Sequence, residues 1–267
     1  MGEGATEVCI QGGLHPGLRL DFYTDMLRAL RERFPQLHTH AFSPMEVKWL
    51  AEKEHISVAE VLTELKRAGL SSMPGTAAEI LDDEVRQKIC PQKLSTAEWV
   101  QVITTAHRLG IPTTSTMMFG HVETWADRVE HMQVILDIQK ETGGFTEFVL
   151  LPFVPWNTAL GRQFAITPIS LAEVLKVTTY ARLFFGKDLV NIQGSWVKSG
   201  VEGMQKALCC GANDFGGTLM EESISRSAGA THGQRLTREQ IEAAITAVGR
   251  IPAERDTLYN LKRLSET

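Results

Sequence analysis

Short runs rich in β-branched and aromatic residues alternate along the chain with longer stretches whose apolar positions recur every three or four residues. The first pattern predicts strands and the second amphipathic helices. Strands are predicted at Glu7–Gln11, Leu37–Phe42, Leu70–Met73, Thr113–Phe119, Glu147–Phe153, Val190–Ser195 and Asn213–Gly217. Between them, Phe22–Arg33 carries Phe22, Met26, Leu27 and Leu30 on one face, with Phe34 following. Further helices are predicted at Pro44–Lys53, Val58–Ala68, Thr96–Leu109, Trp125–Glu141, Ser170–Phe185, Val201–Cys210 and Thr237–Val248. Their boundaries are chemically marked. Ser43, Pro44 and Glu46 form a capping box with proline at the first helical position. Gly69, Gly110, Gly143, Gly186, Gly211 and Gly249 follow predicted helix ends, as C-terminal stops do.

Strands alternating with helices imply a parallel sheet in an α/β fold. About seven such units resemble an eight-fold barrel with one unit absent, and an open doubly wound sheet is the alternative. No G-x-G-x-x-G follows the first strand. Polar residues gather at many strand ends: His38 and His40, His121, Asn191 and Gln193, Asn213 and Asp214. A barrel needs polar groups converging from many strands, whereas an open sheet needs them only at its switch point. No linker or composition break divides the chain, so residues 1–267 are expected to form one domain. Nothing before Glu7 resembles a neighbouring strand or helix, so the opening strand is expected to lack a partner on one side.

Composition narrows the function classes. The 267 residues are 43% hydrophobic and 22% charged, with a net charge of −5. No basic arm favours nucleic acid, and no apolar run approaches the roughly 20 residues of a membrane span. No presequence is visible, which reads as cytoplasmic or as the mature part of an organellar protein. Cys9, Cys90, Cys209 and Cys210 form no C-x-x-C pair and are expected to be buried, reduced thiols.

Several motifs carry candidate chemistry. Gln11-Gly12-Gly13 closes the first strand and frees backbone groups for a small polar ligand; the plainer alternative is a tight turn. His38-Thr39-His40 sets two imidazoles on one strand face, a spacing that can ligate a metal or leave one histidine hydrogen-bonded inside. Met73-Pro74-Gly75-Thr76-Ala77-Ala78-Glu79 is a tight loop. In it Thr76 is placed to cap a turn and Glu79 to meet hydroxyls or an ammonium group, or simply to favour a helix N-terminus. His121 follows a strand ending in Phe119-Gly120, whose Met117 and Met118 read as core filling. Asn213-Asp214-Phe215-Gly216-Gly217 closes on a second glycine pair, with Glu221-Glu222-Ser223 entering a helix beyond it.

These motifs occur within longer stretches: GATEVCIQGGLHP from Gly4, HAFSPMEV from His40, PGTAAEILDDEVRQKICPQK from Pro74, TGGFTEFVLLPFV from Thr142, NIQGSWVKSG from Asn191 and GANDFGGTLMEESISRSAGATHGQ from Gly211. In order and spacing, to about Tyr259, they resemble the radical S-adenosylmethionine (SAM) 5-amino-6-(D-ribitylamino)uracil–L-tyrosine 4-hydroxyphenyl transferases, the second component of the synthase for the deazaflavin FO. Radical SAM enzymes of menaquinone biosynthesis match these stretches less well. The resemblance implies a radical SAM (β/α) TIM-like barrel and a [4Fe-4S] cluster that reduces SAM to a 5'-deoxyadenosyl radical. It implies transfer of the 4-hydroxybenzyl group of L-tyrosine to 5-amino-6-(D-ribitylamino)uracil, with the other FO synthase subunit as functional partner and no nucleic acid or membrane involved. Gln11, Gly12 and Gly13 are then expected at the amino-acid end of SAM, and Thr76 and Glu79 at SAM or tyrosine. His121, Asn191, Gln193, Asn213 and Asp214 are expected substrate contacts. The family's Cys-x3-Cys-x2-Cys motif, upstream of the QGG strand, is not in this chain, so no metal ligand is assigned. The barrel is expected to lack its first strand–helix unit as a truncated form. Pro155-Trp156-Asn157-Thr158-Ala159 also departs from the family pattern. Two other readings are a cluster-free, non-catalytic relative that binds SAM-like or uracil-like ligands, and a metal-dependent barrel hydrolase built on His38 and His40.

Overall fold

The computed structural model describes residues 5–219, 224–229 and 235–264. It opens with strand β1 (Glu7–Ile10), helix α1 (Leu20–Arg33), strand β2 (His38–Ala41) and helices α2 (Pro44–Glu54) and α3 (Val58–Ala68). Helices α4 (Asp83–Ile89) and α5 (Thr96–Arg108), strand β3 (Thr113–Phe119), helix α6 (Trp125–Thr142) and strand β4 (Phe145–Pro152) follow. Then come α7 (Ala159–Gln163), α8 (Leu171–Phe185), β5 (Ile192–Gln193), α9 (Trp196–Cys209), α10 (Ile224–Ser227) and α11 (Arg238–Thr246). A final antiparallel hairpin is made of β6 (Ala253–Arg255) and β7 (Leu261–Leu264).

The parallel pairings run in chain order. Glu7 to Ile10 pair with His38 to Ala41, His40 bridges to Ser72, and Met73 bridges to Thr113. Strand β3 pairs with β4, β4 with β5 through Phe148 and Ile192, and Gln193 bridges to Asp214. All seven predicted strand positions therefore fall in one parallel succession, with helices packed outside it. Three are reduced to one or two paired residues: only Ser72 and Met73 of 70–73, Ile192–Gln193 of 190–195, and Asp214 of 213–217 are paired. Pro74 lacks an amide donor, and Gly216 at φ +86° turns the chain out of the extended region.

Side chains alternate across these strands. On β4, Phe148 packs on Phe185 of α8 at 4.8 Å between ring centroids, facing the helices, while Glu147, Val149 and Leu151 face the lumen. The helix layer is anchored by local chemistry as well as by burial. Ser43 accepts from the Glu46 amide while Glu46 Oε2 accepts from the Ser43 amide at 2.8 Å, as the sequence predicts. An equivalent box formed by Ser57 and Glu60 starts α3, whose Val61, Leu62 and Leu65 are fully buried. A smaller cluster around Trp196, Met204, Phe215 and Ala244 seats α9 and α11. Helix α9 begins earlier than predicted and is broken at Gly200 (φ +70°, ψ 173°).

Two expectations need correction, and one element has no counterpart among them. His38 begins β2 and lies at the opposite end of the strand from the glycine turns. Of the four cysteines only Cys90 is buried; Cys9 and Cys209 are exposed, Cys9 because its strand position turns it into the open lumen. The terminal hairpin has no signal in the sequence, because 253–255 and 261–264 have neither alternation nor β-branched residues. It docks at the N-terminal ends of the strands. Thr257 donates to Glu7, Arg255 Nε to Asp214 Oδ2 at 2.5 Å, and the Tyr259 hydroxyl to Glu147 Oε2 at 2.5 Å. The predicted helix entry at Glu221-Glu222-Ser223 lies outside the described residues. Among the described residues, no helix is long and apolar enough to cross a membrane.

Burial also sets a pH dependence. His107 is held between the Thr142 and Thr113 hydroxyls at 2.7 and 2.9 Å, and His131 Nδ1 accepts from the Leu81 amide at 3.0 Å. Desolvation lowers their pKa values to about 4 and about 3, from 6.5. Each is neutral when folded and takes up a proton on unfolding between these limits. Their contribution is fully present above about pH 6.5 and falls toward pH 4 by up to about 1.4 kcal/mol per pH unit for each group. Urea melts at pH 7, 6, 5 and 4.5 should show that decline, and His107→Gln should flatten it by about one proton.

Candidate active site

Gln11, Gly12 and Gly13 continue β1 at its C-terminal end, where barrel enzymes place their chemistry. The Gly12 amide donates to Glu46 Oε1 at 2.9 Å, so the carboxylate that caps α2 also holds the turn. Gly13 has φ +70°, and a Cβ added at either glycine meets no atom within 4 Å. Close packing against protein therefore does not account for this glycine pair; its backbone borders open space. Thr76, from the loop after the Ser72–Met73 bridge, donates to Gln11 Oε1 at 2.9 Å and so joins this turn.

The 74–82 loop is unusually well held. Gly75 lies so close to β3 that a Cβ would stand 1.9 Å from the Thr114 carbonyl oxygen. Its amide donates to Thr114 Oγ1, and its carbonyl accepts from Thr116 Oγ1, both at 2.9 Å. Ala77 and Glu79 both adopt left-handed conformations, at φ 60° and 48°. Holding non-glycine residues there requires support, and Arg86 supplies it. Its buried guanidinium donates to the carbonyls of Ala77, Ala78, Ile80 and Leu94, while Trp99 Nε1 donates to the Thr76 carbonyl at 3.1 Å. Glu79 pairs with Lys93. Arg86 escapes sequence reading because it sits in a charged helix whose surface and interior positions look alike.

The later candidates divide into two groups. Gln193 and Asp214 face the lumen: Gln193 Nε2 donates to Glu147 Oε2 at 2.6 Å, and Asp214 takes Arg255. The other three are committed elsewhere. Asn191 donates to the Thr146 carbonyl at 2.8 Å. Asn213 Oδ1 accepts from the Ile192 amide and from Arg182 of α8, on the helix side. His121 is buried; its Nε2 donates to the Met118 carbonyl at 3.0 Å, and its Nδ1 meets the Val122 amide and Glu123. Burial holds it below the usual histidine range. The sequence placed these three at strand ends but carried no signal for which way each would turn. His38 Nε2 and His40 Nδ1 converge on the Ser72 hydroxyl at 2.7 and 2.6 Å, and burial lowers both pKa values. Among the described residues no group of three histidine, cysteine or acidic side chains is arranged to hold a metal ion, which weighs against the hydrolase reading.

A parallel barrel with an open glycine turn at the end of its first described strand defines a class that comparison with known proteins identifies. The Radical SAM superfamily matches residues 2–135, and the CofH/MqnC C-terminal region matches 142–267. The chain is 57% identical over 258 residues to the 5-amino-6-(D-ribitylamino)uracil–L-tyrosine 4-hydroxyphenyl transferase of Methanothermobacter thermautotrophicus, covering 96% of this chain and 70% of that protein. It is 54% identical over 258 residues to the enzyme of the same name from Archaeoglobus fulgidus, covering 97% and 75%. The crystal structure of methylornithine synthase superposes with a TM-score of 0.66 at 16% identity, covering 95% of this chain and 70% of that one, which supports the fold. The chain belongs to the radical SAM superfamily and, within it, to the family of 5-amino-6-(D-ribitylamino)uracil–L-tyrosine 4-hydroxyphenyl transferases.

That superfamily uses SAM and a [4Fe-4S] cluster. The open Gly12-Gly13 backbone, with Gln11 and Thr76 beside it, fits the polar amino-acid end of SAM. The described residues do not fit the cluster: Cys9, Cys90 and the Cys209-Cys210 pair lie on separate elements, and no three thiols converge. Replacing Arg86 by Met is expected to destabilise the fold by about 3 kcal/mol, because buried carbonyls lose a charged donor. Urea denaturation measures that loss, and SAM affinity should fall with it as the 74–82 loop loosens.

Proposed function

We propose that this chain acts in the transfer of the 4-hydroxybenzyl group of L-tyrosine to 5-amino-6-(D-ribitylamino)uracil, in formation of the deazaflavin FO. The observation that carries this reading is identity of 50–57% to transferases of that name, spread over at least 96% of the chain. SAM would supply the hydrogen-abstracting chemistry only with an electron from a [4Fe-4S] cluster, for which the described residues offer no set of ligands. The chain's own part is to bind and orient the reactants and to keep water from them. In this reading the Gln11–Gly13 turn and Thr76 hold the amino and carboxylate groups of SAM, and Glu79 stands at the edge of that site. Gln193 and Asp214 contact the pyrimidine substrate from the lumen wall, and His121 shapes the mouth through its loop. The functional partner is the other FO synthase subunit.

Gly12 offers a clean test. Its φ is not positive, and its Cβ direction is open, so a side chain there should not disturb the fold. Calorimetry is expected to show SAM, tyrosine and ribitylaminouracil binding to the folded chain, with Gly12→Val weakening SAM at least ~10-fold as the side chain fills the docking turn. A folded protein that binds none of the three would overturn the assignment.

A further inference from the structure

Glu147 is buried in the lumen wall, and its two oxygens are used unequally. Oε2 accepts from Gln193 Nε2 at 2.6 Å, Tyr259 Oη at 2.5 Å and Arg255 at 3.4 Å. Oε1 accepts no hydrogen bond among the described residues, and the side chain keeps a tenth of its surface exposed. Gln193 repeats the asymmetry. Its Nε2 is spent on Glu147, while its Oε1 has no donor among the described residues and lies over Gly216, where a Cβ would stand 3.0 Å from it. Two acceptor oxygens thus belong to residues joined by a hydrogen bond across neighbouring strands β4 and β5, with no donor to either among the described residues.

Acceptors that face the lumen with no donor among the described residues are open to hydrogen bonds from a ligand. Adjacent hydroxyls of a polyol match two neighbouring acceptors, and each hydroxyl can in turn accept from other polar groups on the wall. Depth separates this ligand from the alternative, the ammonium group of tyrosine. Glu147 is the third residue of β4 and lies over the hairpin that closes the N-terminal end of the barrel, whereas the SAM turn lies at the C-terminal end. The amino group of tyrosine sits on a carbon of the bond that breaks and must stay near that upper end. The ribityl chain leads away from the pyrimidine ring and can reach downward.

We infer that Glu147 and Gln193, braced from below by Arg255 and Tyr259, form a polyol subsite that selects the ribityl chain of the pyrimidine substrate; this rests on the function proposed above. The test is calorimetric titration of the full chain with ribitylaminouracil, 5,6-diaminouracil (which lacks the ribityl chain) and tyrosine. The unaltered chain should prefer the ribityl compound. Glu147→Leu should weaken that compound ~10- to 100-fold, the range for a lost hydrogen bond to a charged group, and leave diaminouracil and tyrosine unchanged. Glu147→Gln keeps an oxygen for Tyr259 and Arg255 and turns a donor into the lumen, so it should fold even where the Leu variant does not; its expected loss is ~5-fold, again for the ribityl compound alone. Equal losses for both pyrimidines, no loss in either variant, or a loss confined to tyrosine overturns the subsite while leaving the transferase reading intact. A folded chain that binds no pyrimidine overturns both.

Discussion

Arg255 lies between two lumen carboxylates, Asp214 and Glu147, and much of the architecture depends on that placement. Either carboxylate left alone in the barrel wall would be costly, since a buried charge without a partner loses its hydration and gains nothing in return. The guanidinium arrives from the C-terminal hairpin, more than forty residues beyond the last parallel strand position. It brings Tyr259, whose ring it covers at 4.0 Å and whose hydroxyl meets Glu147. Burial and the two carboxylates push the Tyr259 hydroxyl pKa up, so it remains a donor. The same hairpin reaches Glu7 through Thr257. One set of polar contacts therefore links β1, β4 and the Asp214 position across the floor of the lumen.

The upper end of the barrel is built differently. There the backbone, more than the side chains, forms the site: Gly12 and Gly13 face open space, and the 74–82 loop is held by Arg86, Trp99 and the hydroxyls of Thr114 and Thr116. Among the described residues Arg86 forms no salt bridge, and its guanidinium is met by backbone carbonyls. That arrangement supports two residues in left-handed conformations next to the glycine turn, a local strain of the kind found around ligand sites. The upper rim, held through its backbone, and the polar floor are thus two chemically distinct ends of the lumen.

The succession of strands and helices could be read along the chain because each element buries a face with its own period, and helix caps such as Ser43 with Glu46 are local. The glycine turn at Gly12-Gly13 was legible for the same reason. Within the candidate site the reading was uneven. Gln193 and Asp214 turn inward, while Asn191, Asn213 and His121 are consumed by backbone and helix partners. A shift of one position in a strand reverses the face a side chain presents, and polar residues at strand ends carry no sign of their direction. In the sequence Glu147 reads only as the start of a strand, and Arg86, Arg255 and Tyr259 carry no local signal because their partners lie far off in the chain or in the backbone.

The sequence by itself determined the alternation of the main strands and helices, the parallel succession of strands and, through long matching stretches, the family; these rest on local periodicity and on residue identity. Tertiary structure alone decided which polar groups share the lumen, which carbonyls Arg86 holds, and that the terminal hairpin closes the floor. Those outcomes depend on the pairing of buried charges and donors from distant segments, and such pairing exists only once the barrel has brought them together.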